Sequence, residues 1–246
     1  MWKAVQVQEH FEAAKKLGFV KNDVAKYIRD SINLSEFSVQ SFVIKKINEY
    51  GLKMDTHKPI VAFGKSSSFV HYFPNRKNNR KLKKDTLILL DIWARLNKAK
   101  APYADMTWMF YYGNKAPEKL ENYFKIVLNA RDLALSKLKI NLKKGEPVIG
   151  REMNILVKNY FGKLEKNFKH SLGHSLGTVS PHGTYAGFHR RNIKPIALGL
   201  AYTIEPGLYF TNKFGFRSEI DVFVDKFGNV TVTTLKQNKL EIIKKF

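Results

Sequence analysis

A chain of 246 residues is long enough to bury a substantial core, and 44% hydrophobic with 26% charged residues is the make-up of a folded domain. It holds no cysteine, which excludes disulfides, thiolate zinc sites and thiol nucleophiles; it also lacks a leading apolar h-region and any apolar run near the ~20 residues a bilayer requires, so no membrane partner is expected and the cytoplasm is the default location. The net charge of +22 invites a nucleic-acid partner, but the excess is lysine spread along the chain with little arginine, the residue best suited to bidentate phosphate and base recognition, so a solvated lysine-rich surface is the simpler reading.

Residues 1–17 carry Val5, Ala13 and Leu17 at helical spacing, with Gly18 behind them as a stop. A short helix is expected over residues 23–30, and a third from the N-cap Ser35 to Tyr50, with Phe42, Val43, Ile47 and Tyr50 as its core stripe and Gly51 at its end. The period changes at Pro59, where Ile60 to Phe63 read as a strand running into a small-residue loop at 64–68. Residues 87–96 and 103–113 are apolar and aromatic, two antiparallel strands joined across 97–102. Centred near Lys98, that hairpin sets Asp91 opposite Asp105 on one face, with Cβ atoms about 5 Å apart. A strongly periodic helix follows over 117–138; Gly145 then breaks the chain, and Pro147 fits the first turn of a helix ending at Phe161, before Gly162. The last third is β, with strands at 201–210, 216–224 and 230–235. No repeat or linker divides the chain, so one mixed α/β domain is expected, mainly helical over 1–58 and sheet-rich with the site over 59–246.

Two familiar patterns fail. Gly173-His174-Ser175-Leu176-Gly177 matches the nucleophile elbow of a serine hydrolase, yet no acid lies between Ser175 and the last later histidine, His189. Gly64-Lys65-Ser66 resembles the end of a phosphate-binding loop, but Pro59 stands where its first glycine belongs.

What succeeds is a set of carboxylates in apolar company. Asp91, Asp105, Glu205 and Glu219 each stand nearly alone among strand-forming residues, with Arg217 two positions before Glu219 on the same strand face. Buried carboxylates are costly unless paired or bound to a cation, so the four ask for a common explanation. His174, flanked by two glycines that permit close backbone approach, adds an imidazole. Four carboxylates and one imidazole suit two divalent metal ions such as Mn, Co, Fe or Zn, and a two-metal centre is a hydrolytic device.

The order Asp91, Asp105, Gly173-His174-x-Leu176-Gly177, Ile204-Glu205-Pro206-Gly207 and Arg217-x-Glu219 resembles the pita-bread metallopeptidases, the family of methionine aminopeptidase, prolidase, aminopeptidase P and creatinase, over residues 59–224. The resemblance implies an α+β pita-bread fold, a curved, mostly antiparallel sheet covered by helices. It implies that Asp91 holds one metal, His174 and Glu205 the other, and that Asp105 and Glu219 bridge both. Glu205 would also move the proton, His71 and His182 would meet the substrate, and Arg217 would orient Glu219 or meet a negative group on the substrate. The run from Glu205 to Tyr209 and the Arg217-Ser218-Glu219-Ile220-Asp221 stretch are nearer the proline-specific branch. A peptide cleaved near its N-terminus next to proline is therefore the expected substrate. Methionine aminopeptidase is the alternative, and a non-catalytic member binding RNA or protein through its lysines is a second one. The aspartates stand 14 positions apart and the two histidines eight apart, both wider than the family's habit, which leaves His189 in competition with His182. About 58 residues precede Pro59 where prolidase and aminopeptidase P carry an N-terminal domain, and a homodimer is admitted.

Overall fold

The computed structural model describes residues 1–244. In chain order its elements are α1 (Ala4–Asp30), α2 (Glu36–Glu49), β1 (Leu52–Lys53), β2 (Ile60–Phe63), β3 (Thr86–Leu96), β4 (Tyr103–Tyr112), α3 (Glu118–Lys143), α4 (Gly150–Phe161), β5 (Leu200–Ile204), β6 (Gly207–Phe210), β7 (Phe214–Arg217), β8 (Ile220–Val224), β9 (Val230–Val232) and β10 (Glu241–Ile243). The β3–β4 hairpin organises the rest. It lies within a sheet of order β1-β3-β4-β10, with β2 also paired to β3, beside a three-stranded sheet β5-β8-β9 and the ribbon β6-β7. Every ladder is antiparallel except that of β10 with β4.

Both faces of the hairpin are covered, which is why its strands read as continuous apolar runs instead of alternating ones. Even-numbered Ile88, Leu90, Ile92, Met106 and Phe110 pack on α1 and α2 through Leu17, Val24, Val43 and Ile47. Odd-numbered Leu87, Leu89, Trp93 and Met109 belong to a second core with Phe124 and Val127 of α3, Val157 of α4 and Tyr202, Ile220 and Val222 of β5 and β8. Asp91, Asp105 and Thr107 share that odd-numbered face, so the site lies where the two β layers meet.

Four expectations change. Gly18 does not stop a helix: α1 runs unbroken to Asp30 and absorbs the short helix expected over 23–30, and Gly18 instead lies against Leu235, 3.1 Å from where a Cβ would stand. Pro147 stays outside α4, since Ile196 N–H bonds the Val148 carbonyl at 2.9 Å and holds that stretch extended until Gly150. The long strands expected over 201–210 and 216–224 are each broken, at Glu205-Pro206 and at Ser218-Glu219, where the chain leaves one sheet for the next.

The fourth is the hairpin register. Asp91 pairs with Thr107 and Asp105 with Trp93, so the two aspartates are diagonal neighbours and not directly opposite. The turn, with Lys100 in the left-handed region at φ 58°, is centred one residue beyond Lys98. Moving the centre by one residue shifts each pairing by two, which keeps both aspartates on one face.

Candidate metal centre

Three parts of the chain bring the site together. β3 and β4 present Asp91 and Asp105 from one layer. Glu205 and Glu219 come from the two strand breaks of the facing layer, so the interruptions at Pro206 and Ser218 are what turn these carboxyls inward. The third part, residues 172–176, runs along β5: Thr203 N–H bonds the His174 carbonyl at 2.9 Å, and Glu205 N–H bonds the Leu172 carbonyl at 2.8 Å. Gly173 makes that approach feasible, because a Cβ there would stand 2.0 Å from the Thr203 carbonyl oxygen.

Ligand atoms of Asp105, His174 and Glu219 all fall within 4.8 Å of one another. His174 Nε2 lies 3.5 Å from Glu205 Oε1 and 3.9 Å from Asp105 Oδ2. Arg217 Nη2 meets Asp91 Oδ2, and Thr107 links the pair to the rest: its hydroxyl donates to Glu219 Oε2 at 2.7 Å and accepts from Arg217 Nε at 2.9 Å. Asp91, Asp105, Arg217 and Glu219 are all buried.

This donor set fits cations. Asp91 Oδ1 and Asp105 Oδ1 are buried without a hydrogen-bond partner, an expensive state for carboxylate oxygens that a bound cation relieves. His174 Nδ1 lies 3.0 Å from the Ser175 carbonyl, which must accept its N–H. Nε2 therefore turns a lone pair toward the Asp105 and Glu205 oxygens, an arrangement that a metal between them makes favourable. The electrostatics agree. Burial, followed by the charge of Glu219, raises the Asp105 carboxyl well above its ordinary range, and burial, followed by Glu205, does the same to Glu219. Burial pushes Glu205 up to about 7 and His174 down to about 3. Arg217 is the one permanent cation among these groups, so further positive charge at the cluster would favour its ionised carboxylates.

A cavity of about 330 Å³ opens onto the cluster, and both His71 and His182 line it. The His182 ring stands edge-on to that of His174, centroids 4.1 Å apart. His189 lines only a neighbouring cavity, which shares His182 and Glu205 with this one but lacks Asp91, Asp105 and Glu219, so of the two candidate histidines it is His182 that lines the cavity over the whole cluster. Ser175, the serine of the hydrolase-like pattern, is buried, with its hydroxyl donating to the Tyr185 carbonyl at 2.9 Å.

Sequence reasoning passed over four residues here. His170 Nδ1 lies 3.8 Å from Glu205 Oε2, and its Nε2 accepts from the Tyr209 hydroxyl at 2.8 Å. Tyr209 in turn accepts from Arg217 Nη1 at 3.2 Å, closing a chain from His170 to Asp91. Asp221 is buried and takes the Asp105 backbone N–H at 2.8 Å. Thr107 is the fourth. His170 stands four positions before His174 and Tyr209 four after Glu205, the spacing that could have drawn notice.

The family profile described as Metallopeptidase family M24 matches residues 8–226. The chain belongs to metallopeptidase family M24. The match takes in α1 and α2 as well as the sheets, further toward the N-terminus than the motifs themselves reach. An uncharacterized peptidase of Methanocaldococcus jannaschii is 25% identical over 230 residues, which are 91% of this chain and 62% of that protein. The X-Pro aminopeptidase of Thermotoga maritima superposes with a TM-score of 0.85 at 21% identity, over 98% of this chain and 64% of that one. The X-prolyl aminopeptidase of Caenorhabditis elegans, described as a cytosolic enzyme with a di-nuclear active site, superposes with a TM-score of 0.75 at 20% identity, over 95% of this chain and 39% of that one. At such identities the likeness shows the fold, and it is the pita-bread fold of M24 peptidases. The M24 chain described here thus spans less than two thirds of the length of each of these proteins. Among its described residues no helix is long and apolar enough to cross a membrane.

Proposed function

We propose that this M24 chain is a cytoplasmic, dinuclear metal-dependent exopeptidase that removes the N-terminal residue of a peptide, or splits a dipeptide, at an Xaa-Pro bond, with residues 1–246 acting as one catalytic unit. One observation carries the reading: the His174 lone pair and the carboxylate oxygens of Asp105 and Glu219 converge within 4.8 Å, beside buried aspartate oxygens that lack a partner. Asp91 would hold one ion and His174 with Glu205 the other, with Asp105 and Glu219 shared between them. When bound, the ions supply an activated water at neutral pH and an electrophile for the scissile carbonyl.

The chain's own groups account for the remaining chemistry. Glu205, placed beside His174 in the cluster, would take a proton from the attacking water and return it to the leaving amine. His71 and His182, whose proton affinities burial lowers, are neutral near pH 7 and donate N–H bonds to the oxyanion as it forms. Arg217, fixed by Asp91, Thr107 and Tyr209, holds Glu219 in orientation through the Thr107 hydroxyl. The proline preference rests on the Glu205-Pro206-Gly207 and Arg217-x-Glu219 sequences together with the fold shared with X-Pro aminopeptidases. The test is hydrolysis of Xaa-Pro peptides against Met-Ala peptides by chelator-stripped protein reloaded separately with Mn, Co, Fe and Zn. Cleavage of the Xaa-Pro set supports the proposal, cleavage of Met-Ala alone makes the chain a methionine aminopeptidase, and no metal-dependent cleavage of either overturns it.

A further inference from the structure

The cavity over the carboxylate cluster has a second acidic end. Asp55, in the loop between β1 and β2, lines it together with His57, Ile60, Phe73 and Trp93. The Asp55 carboxylate is 11% exposed. Its Oδ1 accepts the Trp93 indole N–H and the His57 backbone N–H, each at 3.0 Å, which fixes the carboxylate's orientation. Among the described residues its Oδ2 has the His57 ring as its sole partner, at 3.3 Å, and that ring is 67% exposed. Among the described residues no lysine or arginine nitrogen lies within 4.0 Å of Asp55. A carboxylate this enclosed, held in place and lacking a permanent cation, is suited to receive one.

Its position relative to the reacting bond is set by Trp93, which stands directly opposite Asp105 in the β3–β4 ladder and on the same face. Its indole N–H reaches Asp55, so Trp93 connects Asp55 to the strand position opposite Asp105. His182 lines the same cavity as Asp55 and the cluster. A lysine side chain spans ~6 Å from Cα to Nζ and is apolar for most of that length. Ile60, Phe73 and Trp93 offer the stem an apolar wall, and Asp55 Oδ2 waits beyond it.

We propose that Asp55 is a specificity-determining residue that receives the cationic side chain of a substrate lysine or arginine whose carbonyl sits over the carboxylate cluster. This rests on the reading of the cluster as a peptidase centre. The chain's +22 charge opposes such a substrate at long range, but it is screened beyond ~8 Å at physiological salt, whereas contact with a largely enclosed carboxylate is screened much less.

The experiment compares kcat/KM for Lys-Pro and norleucine-Pro peptides in metal-loaded wild type, Asp55→Asn and His57→Gln. Asparagine keeps an oxygen for Trp93 and removes only the charge. Wild type should favour lysine, and Asp55→Asn should lose about 10- to 100-fold on the lysine peptide while changing the norleucine peptide little. His57→Gln should keep or sharpen the preference. Equal rates for both peptides in wild type, or an equal loss on both in Asp55→Asn, would overturn the assignment. If wild type cleaves neither peptide, it is the Xaa-Pro reading of the centre that fails. Calorimetric titration then decides the subsite by itself: tighter binding of lysinamide than of norleucinamide, abolished in Asp55→Asn, sustains it, and equal binding rejects it.

Discussion

Asp91 and Asp105 stand diagonal to one another across the β3–β4 ladder, Asp91 opposite Thr107 and Asp105 opposite Trp93, with all four side chains on one face. This offset gives Thr107 its place, for it puts a hydroxyl beside Asp91 where it links Arg217 to Glu219. It also puts Trp93 beside Asp105, where the indole forms a wall of the cavity.

Thr107→Val removes that hydroxyl with little change of shape. Glu219 loses its donor and Arg217 loses an acceptor, yet every proposed ligand remains. The expected outcome is a 10- to 100-fold loss in metal affinity or in kcat/KM, the usual size of an outer-sphere effect, with the fold retained. Titration of the metal-stripped variant and its circular dichroism check both parts.

Gly173→Ala tests the close approach that positions His174. A Cβ at that position meets the Thr203 carbonyl at 2.0 Å, so the segment must move off β5 and carry the imidazole with it. A destabilisation of about 1–3 kcal/mol, as for other forced overpacking, should come with a disproportionate loss of activity. Gly51→Ala serves as the control for backbone strain without overpacking, since Gly51 has φ 69° and nothing lies within 4 Å of where a Cβ would stand.

His182→Ala and His189→Ala should separate cleanly. The cavity over the carboxylates includes His182 and not His189, so only the first should lower kcat, by about 10²- to 10³-fold, the cost of removing one donor to an oxyanion. Comparable losses in both variants would place the substrate elsewhere.

The metal-free protein should show a particular dependence of stability on pH. Asp105 and Glu219 have raised pKa values, chiefly through burial, and Glu205 is pushed up to about 7. A raised group stabilises fully below its unfolded value and loses that contribution as pH climbs through the folded value. His10, His170 and His174 are lowered to about 4, 3 and 3, mainly by burial, from an ordinary 6.5; their contribution is complete above 6.5 and fades as pH falls. The two sets oppose one another below 6.5, and above it only the carboxylates act. Tm in EDTA should therefore fall between pH 6.5 and 8. Saturating divalent metal, which favours ionised ligands, should remove that fall and raise Tm more at pH 8 than at pH 6. A metal-free Tm that rises over this range would contradict the sign.

Much of the site was legible because charge in apolar company is a strong signal. Asp91, Asp105, Glu205 and Glu219 stand out for that reason, and the glycines around His174 announce a tight approach. The register came out two positions off because sequence bounds a turn without locating its centre. Glu205 and Glu219 were read as lying inside strands, since strand-forming composition continues across a point where the chain passes from one sheet to another. His170, Tyr209 and Asp221 gave little sign: a loop histidine, a core-like aromatic and an acid beside a stronger motif acquire meaning only once β5, β6 and β8 converge. Gly18 signalled a helix end, but its lack of a side chain serves packing against Leu235 instead. β1 and β10, two and three residues long, are too short for any periodicity to show.

The most direct measurement of the central claim is metal content by mass spectrometry after the chain is stripped with chelator, reloaded with Mn, Co, Fe or Zn and freed of unbound ion, in wild type and in Asp105→Ala. Wild type should retain about two divalent ions per chain together with Xaa-Pro peptidase activity, and Asp105→Ala should lose both ions and activity because the missing carboxylate would serve both positions. A folded wild type that retains no ion, or an Asp105→Ala variant with unchanged stoichiometry and rate, would contradict the account.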